Sequence, residues 1–590
     1  MTVRLKPRDY QLEALRWALE KKRAVVCMPT GTGKTLVAGL WIRELLSKGL
    51  ARRVLVLEPT RFLVEQNARF LARMVGLDAR PLHGSLPRVE RERAWKARVV
   101  VATPEIIVAE WRLFEEAGFD ALVVDECHHT SGQDPFKTVV EGGRFKYRLG
   151  LTALVPPSRR REIEEAIGEI RCWPWTHPSI AKYIPEWVAE VYEAPLNPVE
   201  RRLYESLEDL WSRITGRARV LVGNAIRWFV RDGAEALRES YSNSRRLQEI
   251  LGPVEPLLFD EEVRPAHKLD SLRRVLADHE GFEKAIIFVD RIVIAKIIAG
   301  ALRDYGVSMI LGRRYVEPRD ALRRAKRPAT RIIVSTSAGE EGIDLPEADL
   351  VVLWSNTASP LRFVQRLGRM LRASQGGEPR QKYAVFLVTP DTVDVDSLID
   401  GVSMAQKAGV YVNISSETIQ YLINISRRRK ILDVLYERPL PADMIAQALQ
   451  APIERIEAGL SWLARKGYVA YIYTWMGKVY LVQDRAEDAY KYYRDCLTPV
   501  SEASATLQAY CPGGKERAVR SASYEKALRY LKAQLEKCGV VERVRATVFY
   551  AKRGVLYSRN LSYNFAFRDE RVAKLIADNI YAYPSCTNSP

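Results

Sequence analysis

A glycine-rich loop between an apolar strand and an apolar helix constrains this chain more than any other feature. Residues 24–40 read AVVCMPTGTGKTLVAGL. Gly31 and Gly33 let the backbone turn tightly, so that consecutive N–H groups and the start of the helix point at one anion. Lys34 adds a positive charge, and Thr35 offers a hydroxyl ligand for Mg²⁺. The motif predicts that the phosphates of a nucleoside triphosphate bind against Thr30, Gly31, Thr32, Gly33, Lys34 and Thr35.

The length and charge of the chain limit its architecture and its partners. A chain of 590 residues is too long for one hydrophobic core and predicts about three or four domains. Its net charge of +18 indicates a polyanionic partner, because clustered Lys and Arg displace counterions from nucleic acid. A thermophile-type surface of ion pairs is the alternative, but it would bring 91 basic and 73 acidic residues closer to balance.

The cysteines and the apolar runs predict the compartment. The seven cysteines form neither a CxxC pair nor a metal-ligand spacing, which indicates a reducing intracellular environment. The N-terminal residues lack an apolar signal core, and charged residues interrupt the apolar run at 285–302. We therefore expect no membrane span and a cytoplasmic protein. The high arginine content, with few thermolabile residues, indicates a thermophilic prokaryote, in which the protein would be associated with the nucleoid.

A helix with Gln11 near its start is predicted just before the glycine-rich loop, in LKPRDYQLEAL. A glutamine amide can donate and accept a hydrogen bond at once, which suits the edge of adenine. A solvated surface side chain is the alternative, and the position ahead of the loop favours contact with a nucleotide.

Strands and helices alternate after the loop, with apolar strands in VLVLEP, VVVATPEII and ALVVDECHH. Such alternation predicts a parallel sheet that is covered on both faces. Ligands bind at the carboxyl ends of the strands in sheets of this kind. Thr60, Arg61 and Thr103 fall at that edge.

Two adjacent carboxylates, Asp125 and Glu126, follow the strand ALVV. An acid at this strand end can hold the Mg²⁺ of the glycine-rich loop, and its neighbour can orient or deprotonate an attacking water. A simple interaction with a helix dipole is the weaker alternative. His128 and His129 suggest a further metal, but no third ligand has suitable spacing, so none is predicted.

The segment at 197–258 is helical in pattern, and arginines lie among its aromatic residues. Its basic side chains could grip a phosphate backbone. They could equally form a solvated face over an aromatic core, and both interpretations stay open.

A second block of alternating strands and helices begins near His267, without a glycine-rich phosphate loop of its own. Its helix FVQRLGRMLR would present cations from one end of the sheet through Gln365, Arg366, Arg369 and Arg372. Charged groups of this kind stabilise the transition state of phosphoryl transfer, although arginines at this spacing are often only solvated.

The C-terminal third has a different pattern. Residues 429–482 predict three short helices and two strands, as in a winged-helix module. Beyond residue 483, Tyr and Phe alternate with Lys and Arg. Those aromatic residues could stack on exposed bases or form an ordinary sheet core.

The motifs RDYQ, MPTGTGKT, LEPTRFLVEQ, VATPE, DECHH, LTAL, TSAGEEGIDLP and QRLGRMLR occur in this order over residues 5–388. In this series the chain resembles a superfamily 2 DExH-box helicase. LEPTRFLVEQ and VATPEII look most like the Hef and FANCM group, to which the RIG-I-like helicases are related. DECHH, YRLGLTA and QRLGRMLR look more like XPB.

The resemblance implies an α/β fold with two tandem RecA-like parallel-sheet domains. The patterns described above add a helical insertion, a C-terminal winged helix and an accessory α+β region. The corresponding ranges are 1–190 for the first RecA-like domain, 191–265 for the insertion, 266–425 for the second RecA-like domain, 426–484 for the winged helix and 485–590 for the accessory region.

The resemblance also assigns roles to single residues. It implies an ATP and Mg²⁺ site, residues that couple hydrolysis to movement, a contribution from the second domain, and contacts to the nucleic-acid backbone. The ATP and Mg²⁺ site would contain Gln11, Lys34, Thr35, Asp125 and Glu126, and the coupling residues would be His128 and Thr152. The second domain would contribute Gly342, Asp344, Gln365, Arg369 and Arg372. The contacts to the nucleic-acid backbone would come from Thr60, Arg61, Thr103 and Thr336. Leu154 stands where Ser or Thr is usual, and Leu371 where many relatives have Gly.

The expected function is an ATP-driven helicase or translocase acting on single-stranded, forked or duplex DNA. RNA is the less favoured substrate. A nucleic-acid-binding module that uses ATP only as a switch, with little turnover, is the alternative from another class. Glu126, Arg369 and Arg372 argue against that alternative, because a switch needs no hydrolytic machinery.

Overall fold

The chain forms two compact units, Met1–Leu422 and Ile423–Pro590, each described separately below. The computed structural model describes residues 6–130, 134–156, 159–183, 187–311, 318–336, 345–368, 381–407, 414–488, 497–499, 503–512, 517–552 and 555–584. Within these ranges no helix is both long enough and apolar enough to cross a membrane.

The first sheet of the N-terminal unit has seven strands, all parallel, in the order β3-β4-β2-β5-β6-β1-β7. Alternate residues of one strand enter different cores: Val54 and Val56 pack on one face, Leu55 and Leu57 on the other. Both faces are therefore covered, as the apolar strands predict. The strands are β1 (Arg23–Cys27), β2 (Val54–Leu57), β3 (Ala79–Leu82), β4 (Val99–Ala102), β5 (Ala121–Val124), β6 (Tyr147–Thr152) and β7 (Glu169–Cys172).

The helices of this domain connect and cover the strands. They are α1 (Asp9–Glu20), α2 (Lys34–Ser47), α3 (Arg61–Phe70), α4 (Arg88–Trp95), α5 (Pro104–Ala109), α6 (Trp111–Ala117), α7 (Pro135–Gly142), α8 (Arg160–Ala166) and α9 (Pro178–Ala181).

The second sheet has six strands, again all parallel, in the order β10-β11-β9-β12-β13-β8. The two parallel sheets confirm the predicted α/β fold class. The strands are β8 (Trp187–Glu193), β9 (Ala285–Phe288), β10 (Val307–Ile310), β11 (Ile332–Ser335), β12 (Leu350–Leu353) and β13 (Lys382–Val388).

The domain boundary predicted after residue 190 divides β8 and needs correction. This strand pairs along its whole length with β13, from Trp187 opposite Lys382 to Glu193 opposite Val388. Backbone pairing fixes it as the edge strand of the second sheet, so the first domain ends before residue 187.

A group of helices follows β8 and surrounds an apolar core of its own, which includes Leu203, Phe229 and Leu237. The group also binds the second sheet, because the carbonyl of Asp232 accepts from Trp354 Nε1 at 2.9 Å and its carboxylate accepts from Ser355 Oγ at 2.6 Å. Its helices are α10 (Pro198–Arg213), α11 (Gly216–Arg227), α12 (Ala234–Ser242), α13 (Arg245–Leu251) and α14 (Glu255–Leu258).

Further helices complete the second domain around its sheet. They are α15 (Leu269–Asp278), α16 (Ile292–Ala301), α17 (Pro318–Ala325), α18 (Pro360–Leu367), α19 (Val393–Lys407) and α20 (Ser416–Asn424).

The C-terminal unit begins with three helices and a small antiparallel sheet in the order β14-β16-β15. This is the arrangement that the winged-helix pattern predicts. The elements are α21 (Arg428–Glu437), β14 (Leu440–Pro441), α22 (Ala442–Ala448), α23 (Ile453–Lys466), β15 (Val469–Thr474) and β16 (Gly477–Val482).

The rest of this unit has a four-stranded antiparallel sheet, β19-β18-β20-β21, and a two-stranded sheet, β17-β22. Tyr471 and Tyr473 of β15 both donate to the carbonyl of Ser562 in β21, at 2.7 and 2.8 Å. The boundary predicted after residue 484 therefore divides one compact unit. The elements are β17 (Leu497–Pro499), β18 (Ala503–Tyr510), β19 (Arg517–Ala522), α24 (Tyr524–Cys538), β20 (Arg543–Lys552), β21 (Val555–Tyr563), α25 (Glu570–Ile580) and β22 (Ala582–Pro584).

A disulfide links Cys511 to Cys538, so the expectation that all cysteines are reduced was wrong. The end of β18 and the end of α24 bring the two Cα atoms to 5.9 Å, a separation that a disulfide spans. Residues 27 positions apart carry no local signal for this pairing.

Candidate active site

The glycine-rich loop joins β1 to α2 at the carboxyl edge of the first sheet. Gly31 and Gly33 have φ of +84° and +79°, a backbone region that favours glycine. The loop holds the Lys34 amine close, because Nζ donates to the carbonyls of Met28 and Pro29 at 3.2 and 3.5 Å. Thr30 Oγ1 is buried without a hydrogen-bond partner among the described residues. A phosphate oxygen would satisfy it, so the loop fits the predicted ligand.

Gln11 of α1 lies directly against this loop and is only 6% exposed. Its Nε2 donates to the Thr32 carbonyl at 2.8 Å, and its Oε1 accepts from the Arg8 N–H at 2.8 Å. A Cβ atom on Gly33 would come within 2.5 Å of Nε2. One amide hydrogen and one oxygen lone pair of Gln11 remain for a ligand.

The two predicted carboxylates follow β5, next to β2 at the same edge of the sheet. Asp125 N–H donates to the Leu57 carbonyl at 3.0 Å, and the Glu126 N–H donates to Asp125 Oδ1 at 3.0 Å. Burial, and then Glu126, raise the pKa of Asp125 to about 7, while the charge of Lys34 opposes this rise. Lys34 and Asp125 therefore interact electrostatically, as a shared phosphate and magnesium site requires.

Glu126 has φ of +48°, although it is not glycine. Such a conformation costs about 1–2 kcal/mol and is retained mainly at functional sites. Its buried Oε2 lies 3.4 Å from His128 Nδ1. Burial, with smaller contributions from His129 and Arg159, lowers the pKa of His128 to about 3, so the imidazole is neutral at pH 7.

A chain of contacts links Glu126 to the end of β6. His128 Nδ1 lies 3.3 Å from Thr152 Oγ1, which donates to the Leu154 carbonyl at 2.8 Å. Because that hydroxyl hydrogen points to Leu154, it is the His128 Nδ1–H that donates to Thr152. The structure thus brings together the two residues predicted to couple hydrolysis to movement, and the backbone of Leu154 takes part although its side chain has no hydroxyl.

Glu58 is a site residue that the sequence analysis did not single out. It follows β2 beside Asp125, is 2% exposed, and its Oε1 accepts from Asn67 Nδ2 at 2.7 Å. Its Oε2 is buried without a hydrogen-bond partner among the described residues. Burial, and then Asp125, raise the pKa of Glu58 well above its usual value. The signal was an acid placed directly after the apolar run VLVL.

The four residues predicted to face nucleic acid divide into two groups. Thr60 and Arg61 begin α3 near the surface, where Thr60 Oγ1 caps the helix and Arg61 donates to Ser85. Thr103 and Thr336 are only 5% and 4% exposed. Their side chains lie beneath the surface, so the structure does not bear out their expected contact with a phosphate backbone.

The second domain contributes Gln365 on α18, which is 2% exposed. Neither polar atom of its amide has a hydrogen-bond partner among the described residues. Arg366 was expected to project as a cation, but it is buried and bonds Asp290 at 2.6 Å and the Ser355 carbonyl. It therefore belongs to the domain core. Gly342, Asp344, Arg369, Leu371 and Arg372 lie outside the described residues.

Two family models match the chain, one on each parallel sheet. The model described as the res subunit of type III restriction enzymes matches residues 4–157. The model described as the helicase conserved C-terminal domain matches residues 267–374.

Curated proteins of several organisms are similar to the chain. The DNA 3'-5' translocase XPB2 of Sulfurisphaera tokodaii is 24% identical over 66% of this chain and 82% of its own length. The putative ATP-dependent RNA helicase MJ1505 of Methanocaldococcus jannaschii is 26% identical over 63% of this chain, and the ATP-dependent DNA helicase fml1 of Schizosaccharomyces pombe is 21% identical over 65%. The chain spans 57% of the length of each of these two helicases.

Among solved structures, the helicase domain of Pyrococcus furiosus Hef is 24% identical, with a TM-score of 0.47 over 67% of this chain and 98% of that chain. The two family matches occur in order on two parallel sheets, and the first sheet carries a phosphate-binding loop beside paired carboxylates. These comparisons bear out the resemblance to superfamily 2 helicases that the motifs indicate.

Proposed function

We propose that the protein is an ATP-dependent DNA translocase or helicase, and that the site between the glycine-rich loop and the end of β5 hydrolyses ATP. The observation that carries this proposal is that the glycine-rich loop with Lys34 and the carboxylate of Asp125 lie at the same edge of the first sheet, where the charge of Lys34 acts to lower the pKa of Asp125. A cation for phosphate and a carboxylate for magnesium are thus held in one place.

The loop supplies the binding step. Its N–H groups and Lys34 would hold the outer phosphates. The hydrogen bond from Gln11 would keep the Thr32 carbonyl, and with it the loop, in position. Thr35 and Asp125 would hold Mg²⁺, which neutralises the charge that develops on the phosphates.

Glu126 supplies the hydrolytic step. Its backbone conformation and its position after β5 set the carboxylate beside neutral His128, where it can orient a water and take its proton. A shift of the Glu126 side chain during hydrolysis would displace the end of β6, because His128 contacts Thr152 and Thr152 bonds Leu154. Thr60 and Arg61 are the surface residues placed to contact a nucleic-acid strand.

DNA is the proposed substrate because the net charge is +18 and because two of the similar proteins are a DNA translocase and a DNA helicase. RNA is the second candidate, since the relative from M. jannaschii is named as a putative RNA helicase. Gln365, whose buried amide has no hydrogen-bond partner within the described parts of the chain, and the arginines at 369 and 372 are proposed to complete the ATP site from the second domain.

A phosphate-release assay tests the proposal with single-stranded, forked and duplex DNA, each compared with RNA of the same sequence. We expect DNA to stimulate turnover and RNA to do so less. Lys34→Ala and Glu126→Gln should abolish the stimulated rate without changing the circular dichroism spectrum. Lys48→Ala, at the other end of α2, is the matched control and should retain full turnover. Turnover at the wild-type rate in either site variant would refute the assignment.

A further inference from the structure

The four-stranded sheet of the C-terminal unit has one covered face and one open face. The covered face carries buried residues such as Leu507, Val544 and Val548, over which α24 packs through Leu531 and Leu535. The side chains that alternate with them point the other way, and we call their surface the open face. It consists of Ser504, Thr506, Gln508 and Tyr510 of β18, Arg543, Arg545, Thr547 and Phe549 of β20, and Ser558, Asn560 and Ser562 of β21.

The composition of the open face is distinctive. Its described side chains include two arginines, several hydroxyls and two amides, but no Asp or Glu, although the chain has 73 acidic residues. Arg545, Phe549, Ser558 and Asn560 are exposed, and the others are half-buried. The face is therefore polar and positively charged, which complements an anionic partner.

Two hydrogen bonds within the open face occupy the oxygen atoms of its amide side chains, and no bond among the described residues occupies their NH₂ groups. Thr547 Oγ1 donates to Asn560 Oδ1 at 2.8 Å, and the Tyr510 hydroxyl donates to Gln508 Oε1 at 3.3 Å. Both amide NH₂ groups are then available to a ligand. Arg545 lies near the same end of the face, 5.6 Å from the Tyr510 ring. A ligand that suits this surface must offer many acceptor atoms.

The spacing of aromatic residues distinguishes duplex from single-stranded nucleic acid. A single-strand platform stacks successive bases on exposed rings. Tyr510 and Phe549 lie at opposite ends of the open face, about 20 Å apart at 3.4 Å per residue. The guanidinium of Arg543 also covers the Tyr510 ring at 3.7 Å. The face thus offers no row of rings for stacking.

The side chains between these ends are those that contact the edges and phosphates of a duplex. Arginine, glutamine, asparagine, serine and threonine are the side chains that bond to base edges in the major groove. The paired central strands β18 and β20 carry eight side chains of the open face, and their neighbour β21 adds Asn560 beside them. Paired antiparallel strands can present such side chains to the major groove.

We propose that the open face is a second DNA-binding surface, which holds duplex DNA in its major groove independently of ATP. The proposal deepens the proposed function and rests on it, because it takes DNA as the substrate. While the motor domains move along one strand, this surface would keep the C-terminal unit on the double-stranded part of the substrate.

The test measures the affinity of the full chain, without nucleotide, for a duplex and for a single strand of the same length. Arg543→Ala with Arg545→Ala should weaken duplex binding roughly ten-fold or more, and Thr547→Glu should do the same by repelling phosphates. If both arginines contact phosphates, the salt dependence of binding should fall by about two counterions. Lys526→Ala with Arg529→Ala, on the exposed side of α24, is the matched control and should leave affinity unchanged.

A crosslinking measurement covers the case in which a variant fails to fold. A photoreactive phenylalanine analogue in place of Phe549, which is 38% exposed, should crosslink to the duplex. The same analogue in place of Tyr305, which is 36% exposed just before β10, should not. Unchanged duplex affinity without crosslinking at residue 549 overturns the proposal. An equal loss of single-strand affinity overturns the choice of a duplex.

The two proposals fail in different assays. A chain that binds duplex through the open face but releases no phosphate in response to DNA would overturn the proposed function alone. DNA-stimulated turnover in a chain whose duplex affinity does not depend on Arg543 and Arg545 would overturn only the second surface.

Discussion

The close approach of Gln11 to Gly33 provides a quantitative test of the nucleotide-binding loop. Gly33→Ala places a side chain at φ of +79°, which costs about 1–2 kcal/mol. The new Cβ would lie 2.5 Å from Gln11 Nε2, so that the amide must move and lose its bond to Thr32, at about 1 kcal/mol. The sum of about 2–3 kcal/mol predicts that ATP binding weakens roughly 30- to 150-fold.

The assay is a titration with a fluorescent ATP analogue, and Gly49→Ala is the control. Gly49 has φ of +65°, but a Cβ there would meet nothing within 4 Å, so only the backbone cost applies, at the far end of α2. Its affinity for ATP should match that of the wild type.

A double variant separates the steric contact from the backbone cost. Gln11→Ala removes the atom that the new Cβ would meet, so Gly33→Ala should weaken ATP binding about five-fold less in that background, which is a coupling of about 1 kcal/mol. Additive effects of the two changes, or a Gly33→Ala variant that binds ATP as tightly as Gly49→Ala does, would refute the reasoning.

Three further variants test other parts of the chain. Thr152→Val removes the hydroxyl between His128 and Leu154, and we expect basal ATP hydrolysis to persist while stimulation by DNA falls about ten-fold; normal stimulation would exclude the coupling role. Glu58→Gln keeps an acceptor for Asn67 and relieves repulsion from Asp125, so its melting temperature should equal or exceed that of the wild type. Glu58→Ala removes that acceptor and should lower the free energy of unfolding by about 1–3 kcal/mol, which is seen as a lower melting temperature. Equal melting temperatures of the two variants would contradict this. Cys511→Ser with Cys538→Ser removes the disulfide that closes a loop of 27 residues, and should destabilise the C-terminal unit by about 3–4 kcal/mol. The effect is measured as a lower melting temperature in the absence of reductant, and an unchanged melting curve would contradict this.

Local motifs made the arrangement of the glycine-rich loop and of the paired carboxylates predictable. Gly31, Gly33 and Lys34 act through neighbouring backbone atoms, so their arrangement follows from a few consecutive residues. The pair Asp125 and Glu126 was placed correctly at the sheet edge because an apolar strand leads directly to it. Prediction succeeded where the chemistry is local in sequence.

Features that depend on distant pairing could not be predicted in the same way. The strand β8 joins the second sheet only through β13, which lies almost two hundred residues later. Thr103 and Thr336 are buried although each lies just beyond a strand end, and a strand end alone does not reveal this. Arg366 looked like an exposed cation because its partner, Asp290, follows β9 and lies 76 positions away in the sequence.

That carboxylate also joins α18 to the helical group. Asp290 accepts ion pairs from Arg362 and Arg366 of α18 and from Arg231 of the helical group, at 2.8, 2.6 and 3.1 Å. Burial opposes its ionisation, but Arg366, Arg231 and Arg362 prevail and lower its pKa. Together with the bonds of Asp232 to Trp354 and Ser355, these ion pairs hold the helical group against α18 and the second sheet. A displacement of α18 during an ATP cycle would therefore also displace the helical group, because the ion pairs of Asp290 join the two.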